Sequence, residues 1–178
     1  MALLLYTKNM IWNAISGSWR KTSPEVERNV RQAVAGVMKS GDGIVTGGAL
    51  GVDFIATDEA LIHNQTADRI KIILPSTLVI YSAHYRNRAN EGVITHEQAE
   101  ALISLLSSVQ NRRAASIIEM GYTELNETSY YARNTAVVEE SDKLLAFQVN
   151  GSGGVQDTVD KARRLGIEVV LKQYTIEN

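Results

Sequence analysis

Ile44-Val45-Thr46-Gly47-Gly48-Ala49-Leu50-Gly51-Val52-Asp53 reads as a buried strand that passes through a glycine turn straight into a helix. From Val52 to Ile62 apolar residues recur on a helical period, with Asp53 and Asp58-Glu59 on other faces. A strand, a tight turn and a helix in that order form the repeating unit of parallel sheets. The same transition recurs on either side, at Ser16-Gly17-Ser18 and at Asn150-Gly151-Ser152-Gly153-Gly154. Each such turn is able to aim backbone N–H groups and the positive end of a helix at an anion.

Upstream, Ile11 to Ser16 forms a strand, and Leu3 to Tyr6 is a candidate for another. Ser23-Pro24-Glu25 opens a helix with a capping hydroxyl, a proline at the first helical position and an acid in the first turn. Val26, Val30, Ala33, Val37 and Met38 give that helix its buried stripe, and Gly41 stops it. Downstream, Ile70 to Leu74 is a strand ending at Pro75. Ser76 to Ile94 holds no period and reads as a functional loop or lid. Thr95-His96-Glu97-Gln98 has capping-box form and opens a helix buried through Ala99, Leu102, Ile103, Leu106 and Val109. A strand near Ser116 to Glu119 follows, then a helix over Ser129 to Glu139 and a strand over Lys143 to Gln148. A helix over Val155 to Leu165, closed by Gly166, and a strand over Ile167 to Leu171 complete the chain. The alternation predicts a single Rossmann-like domain over 1–178, an open, mostly parallel sheet wound on both faces by helices. Ligands bind such sheets outside the carboxyl ends of the strands.

The chain of 178 residues has no cysteine and a net charge of −2. Thiol catalysis, disulfides and thiolate zinc sites are excluded, and the balance argues against a surface coated in basic residues for nucleic acid. The three histidines lack metal-ligand spacing. No apolar run approaches the roughly 20 residues of a membrane helix, and Ala2 to Tyr6 lacks a cleavage pattern. The expected location is the cytoplasm, with Asn126-Glu127-Thr128 a chance glycosylation match. Neither the dinucleotide fingerprint nor the P-loop pattern occurs where it would function, and the motifs call for no cofactor.

Four ordered motifs carry a resemblance over about Ile11 to Leu171. They are Ala14-Ile15-Ser16-Gly17-Ser18-Trp19-Arg20; Ile44 to Asp53 with Ala56; Arg133-Asn134; and Gly153-Gly154-Val155-Gln156-Asp157-Thr158 with Ala162 and Gly166. Together they resemble the Rossmann-like domain of the DNA-processing protein A family. The resemblance implies a doubly wound fold whose glycine loops and arginines hold the backbone of single-stranded DNA. The wider superfamily adds nucleotide phosphoribohydrolases, often labelled lysine decarboxylases, and sensors of nucleotide-derived ligands. Thr135 stands where a second arginine is common, and Val155 where a small hydroxyl residue is common. The phosphoribohydrolase run Gly-Gly-x-Gly-Thr-x-x-Glu is broken here by Gln156, Asp157 and Asp160. The first two departures remove donors that would face phosphate, and the broken run weighs against the hydrolase chemistry.

The expected ligand is a nucleotide or the phosphates of single-stranded nucleic acid. The binding residues are Ser16, Gly17, Ser18, Arg20, Gly47, Gly48, Ala49, Gly51, Asp53, Arg133, Asn134, Gly153, Gly154 and Thr158. Arg20 either clamps phosphate or pairs with surface acids. Asp53 either orients the glycine loop or serves a ribose hydroxyl or a proton transfer. Arg133-Asn134 is placed at or near a helix N-terminus, where a bound anion would offset its charge. Tyr85, Arg86 and Arg88 combine aromatic and basic groups as nucleic-acid surfaces do. Asp53, Glu119 and Asp160 are the candidate catalytic acids should the protein hydrolyse an N-glycosidic bond. Trp12 and Trp19 are assigned to packing. Useful affinity calls for base contacts, several phosphates or a homodimer that joins two sites.

Overall fold

The structure, a computed structural model, describes residues 9–177. The proposed strand at Leu3 to Tyr6 lies outside them. The order is β1 (Trp12–Gly17), α1 (Pro24–Lys39), β2 (Gly43–Thr46), α2 (Val52–His63), β3 (Ile70–Leu74), α3 (Leu78–Asn90) and α4 (His96–Arg112). A short 3-10 turn at Ala114–Ser116 leads to β4 (Ile117–Glu119), α5 (Glu127–Glu139), β5 (Lys143–Val149), α6 (Gly153–Arg164) and β6 (Glu168–Tyr174). The strands form one all-parallel, Rossmann-like sheet in the order β4-β3-β2-β1-β5-β6. The chain grows outward from β1 to one edge, returns through α5, and continues on the other side with β5.

Alternate residues of each strand feed two apolar layers, as the period of two requires. Ile15, Ile44, Ile72 and Phe147 join the layer packed against α1, α2, α3 and α4. Ala14, Val45, Ile73, Leu144 and Ala146 face the opposite way onto α5 and α6. Both faces of the sheet are thereby covered, which explains why its central strands read as continuous apolar runs.

The capping chemistry forms as its residue types dictate. Ser23 accepts the Val26 amide with Pro24 at the first turn, and Thr95 and Gln98 close a reciprocal capping box. Asn126 and Ser129 close another at the start of α5, so the Asn-Glu-Thr stretch is a helix cap.

Two readings are corrected. Ser76 to Ile94 is mostly helix, not a loop or lid. Leu78, Tyr81, Ser82, Tyr85 and Ala89 are its buried stripe, whereas Val79 is 79% exposed. The helical period is masked because two tyrosines and a serine face inward while Val79 and Ile80 face out. Arg133 is also not at a helix N-terminus: α5 begins six residues earlier, at Glu127. No helix among the described residues is long and apolar enough to cross a membrane.

Candidate functional site

Where the strand order reverses at β1 and β5, a cavity of about 540 Å³ opens at the carboxyl edge of the sheet. Ile15, Ser16 and Gly17 at the end of β1 and Gly47 and Ala49 after β2 contribute to its lining. Ser152, Gly154, Val155 and Thr158 come from the start of α6. Helix α5 supplies Glu127, Tyr130, Tyr131, Arg133 and Asn134; α3 supplies His84, Tyr85 and Arg88; Trp19 and Arg20 reach in from the loop after β1.

Asp53, buried in the first turn of α2, also lines the cavity. Its Oδ2 accepts the amides of Gly47 at 3.1 Å and Ala49 at 3.2 Å. Burial pushes its carboxyl up to about 6, against the pull of Arg133 and those two amides. The amides that the glycine turn offers to an anion are therefore already held by a side chain. Arg133 spans the same turn. Its guanidinium donates to the Gly47 carbonyl, its Nε donates to Asn134 Oδ1 at 3.1 Å, and its cation lies 5.6 Å from the Tyr130 ring centre.

The turn before α6 is organised differently. No side chain caps the helix at Ser152. The Gly154 carbonyl accepts from Thr158 Oγ1 at 3.0 Å and, at 3.5 Å, from Asn134 Nδ2, which joins α5 to the first turn of α6. Asn134 Nδ2 also donates to Asp157 Oδ2 at 3.1 Å, and Lys161 bonds the same carboxylate. The uncapped start of α6, with Ser152, Gly154 and Val155 in the lining, puts the positive end of the helix dipole at the cavity.

Aromatic groups line much of the remainder. Tyr130 and His84 share a 3.2 Å hydrogen bond, and Tyr81 donates to Tyr85 at 3.4 Å. Burial raises the Tyr85 phenol to about 12, while burial and the nearby Arg88 cation lower His84. Both groups are therefore uncharged at neutral pH.

Ser16, Gly17, Arg20, Gly47, Ala49, Asp53, Arg133, Asn134, Gly154, Thr158, Tyr85 and Arg88 all line the one cavity. Ser18 does not: its hydroxyl is buried and receives the Val149 amide, tying β1 to β5. Gly48 and Gly51 are packing positions outside the lining. Arg86 pairs with Glu100 on the outer surface, Asp160 accepts from Gln156 along α6, and Glu119 accepts the Leu78 amide at 2.7 Å as a cap for α3. Trp19, assigned to packing, stands instead on the cavity wall with the Arg20 cation 4.8 Å from its ring centre. Sequence reasoning misses Tyr130 and Tyr131. Their signal is the Asn126 cap, which sets the phase of α5 and brings these tyrosines and Arg133 to the cavity.

Residues 5–178 match the family model of DNA recombination-mediator protein A. Among solved structures, DNA processing protein A from Helicobacter pylori, described with a single-stranded DNA binding mode, is 21% identical over 90% of this chain and 64% of its own. The TM-score is 0.64. The molybdenum cofactor binding protein from the phototrophic bacterium Rippkaea orientalis is 20% identical over 93% of this chain and 77% of its own, with a TM-score of 0.59. At these identities the likeness is one of fold. The chain spans less than two thirds of the Helicobacter protein's length. No curated protein matches it in sequence.

Proposed function

The chain belongs to the DNA recombination-mediator protein A family, and on that premise we propose that its cavity takes a nucleotide unit of single-stranded DNA. The observation that carries this reading is the joint presence of cations and rings around one cavity: Arg20, Arg88 and Arg133 with Trp19, Tyr130 and Tyr131. A strand needs both. Guanidinium contacts to phosphate contribute roughly 1.5–3 kcal/mol each, and base stacking on an aromatic roughly 1–3 kcal/mol. The start of α6 adds a dipole and unclaimed amides on the same edge. About 540 Å³ is in the range of small-ligand sites, so the cavity admits one nucleotide at a time.

Titration of fluorescent oligo-dT, followed by anisotropy at several salt concentrations, tests the reading. Affinity is expected to fall with salt. Arg133→Ala is expected to weaken binding at least about tenfold, the loss of one charge-assisted contact, with the variant still folded by circular dichroism. Unchanged affinity in that folded variant removes Arg133 from the site.

Asp53 supports a second reading. A cavity-lining carboxyl raised to about 6 is poised for proton transfer near neutrality, as N-glycosidic hydrolysis of a nucleotide requires. Release of free base from nucleoside monophosphates, abolished in Asp53→Asn, would select it. The two loop amides held by Asp53 favour the binding role.

A further inference from the structure

The carboxyl of Asp53 is only half spent. Its Oδ2 accepts the amides of both Gly47 and Ala49, whereas no hydrogen bond reaches Oδ1 among the described residues. The residue is 7% exposed, yet no buried side-chain oxygen among the described residues lacks a partner. Oδ1 is therefore not sealed in the interior and opens on the cavity that Asp53 lines. The Arg133 guanidinium does not close on it, donating instead to the Gly47 carbonyl and to Asn134 Oδ1. Gly47 thus separates two opposite charges at the cavity, with Arg133 on its carbonyl and Asp53 on its amide.

A carboxylate oxygen only accepts. The ligand group that comes to Oδ1 is therefore an O–H or N–H donor, and not a phosphate, which the carboxylate repels. In a nucleotide the donors nearest the phosphate belong to the sugar, while the N–H groups of the base lie beyond the glycosidic bond. A phosphate oxygen on Arg133 accordingly brings a sugar hydroxyl, not a base edge, toward Asp53. The same cavity holds a donor to match the acceptor. Tyr85, 5% exposed, accepts the Tyr81 hydroxyl, and its own O–H meets no acceptor among the described residues. A hydroxyl both donates and accepts, so it suits a cavity with one unspent group of each kind. An internal deoxynucleotide has none to give, because its 3′ and 5′ oxygens are esterified and its 2′ position carries only hydrogen. The 3′-terminal nucleotide of a strand keeps its own 5′-phosphate and a free ring hydroxyl, and a ribonucleotide offers the same chemistry at 2′.

We propose that the Asp53 side of the cavity is a site for a free sugar hydroxyl, with Oδ1 as its acceptor, so that the nucleotide bound is the 3′-terminal unit of a strand or a ribonucleotide. This rests on reading the cavity as a nucleotide site and adds which nucleotides it selects.

Oligo-dT labelled at its 5′ end has the 3′-terminal hydroxyl as its one free sugar hydroxyl. At pH 8, where Asp53 is ionised, strands ending in that hydroxyl, in a dideoxynucleotide or in a 3′-phosphate are compared by anisotropy. The wild type is expected to bind the hydroxyl end at least about tenfold more tightly than the dideoxy end, for loss of a hydrogen bond to a charged acceptor. The 3′-phosphate end is expected to bind no better than the dideoxy end despite its greater charge. In Asp53→Asn, folded by circular dichroism, the hydroxyl preference is expected to shrink to within about threefold and the 3′-phosphate strand to gain. Lost stability alone would not reorder the ends. A dideoxy-ended strand with one internal ribonucleotide separates the sources: affinity regained there assigns the 2′-hydroxyl, and affinity not regained assigns the strand end. If hydroxyl and dideoxy ends bind alike and the ribonucleotide adds nothing, the proposal is overturned while the nucleotide reading stands. So it is if Asp53→Asn keeps the full preference. Absence of binding by every strand overturns the nucleotide reading itself, and the proposal with it.

Discussion

The glycine turns after β2 and β5 look alike in sequence and are used in opposite ways. After β2, Gly48 and Gly51 have positive φ of 66° and 69°, and both are hemmed in. A Cβ at Gly48 would strike Leu74 and Ile72, and one at Gly51 would strike the backbone of Ser18 and Trp19. Two of this turn's amides are taken up by Asp53. Before α6, Gly153 and Gly154 have nothing within 4 Å of a Cβ, and the helix carries no side-chain cap. The first turn is a packed joint between two strand-to-helix units, with glycine required by sterics. The second is an open approach to the cavity, where glycine keeps the backbone bare. A glycine run after a strand therefore signals close approach without saying whether protein or ligand makes it.

The largest way to break the joint is Gly51→Ala. The substitution combines left-handed strain, roughly 1–2 kcal/mol, with a backbone overlap that costs about 1–3 kcal/mol more. Melting is expected to drop by about 4–20 °C for a chain of this size. A drop of less than about 2 °C in a calorimetric scan, under 1 kcal/mol on the same scale, would show that the loop after β1 yields easily and that the joint is not rigid.

Asp53 offers the next test. Its folded-state pKa of about 6 lies above its ordinary value of 3.8. Between those values the native state holds a proton that the unfolded chain releases, so stability from this group falls as pH rises through the window. The full span is roughly 3 kcal/mol. Asp53→Asn keeps an acceptor for the Gly47 and Ala49 amides and removes the titration. Thermal melts at pH 4, 5, 6 and 7 are expected to show the wild type losing stability relative to the variant across that range. Parallel curves would mean that Arg133 and the two amides fully offset the burial.

These contrasts also explain what is legible in the sequence. The strand-to-helix alternation is readable because caps and stops are chemical: Ser23-Pro24, the Thr95 and Gln98 box, and Gly41 and Gly166 at helix ends. The buried stripe of α4 is readable because it is aliphatic. Helix α3 is hidden because it buries tyrosines and exposes valine, which inverts the usual pattern. The cavity is half legible. Arg20, Arg133 and Asn134 carry motif character, but Tyr130 and Tyr131 come to the wall only once the phase of α5 is fixed by Asn126. Which glycines touch protein and which face open space is a tertiary fact, since what lies across from Gly48 and from Gly154 belongs to distant parts of the chain.

The smallest effect sharpens the comparison most. Gly153 and Gly154 occupy the first two helical positions of α6, neither at positive φ, and an alanine meets no obstacle at either. Each substitution is expected to stabilise the fold by about 0.4–1 kcal/mol, because alanine gives the unfolded chain fewer states to lose. Only Gly154 of the two lines the cavity. If phosphate approaches the start of α6, Gly154→Ala places a methyl group in that approach and is expected to weaken oligo-dT binding several-fold. Gly153→Ala is expected to leave it within about twofold, since its methyl group lies off the lining. Equal affinity in both variants, measured alongside their melting curves, would mean that the open turn is not the ligand's entrance. The anion would then be held by the α5 and β1 sides of the cavity, through Arg133 and Arg20, with the bare turn serving only to let Asn134 dock against the Gly154 carbonyl.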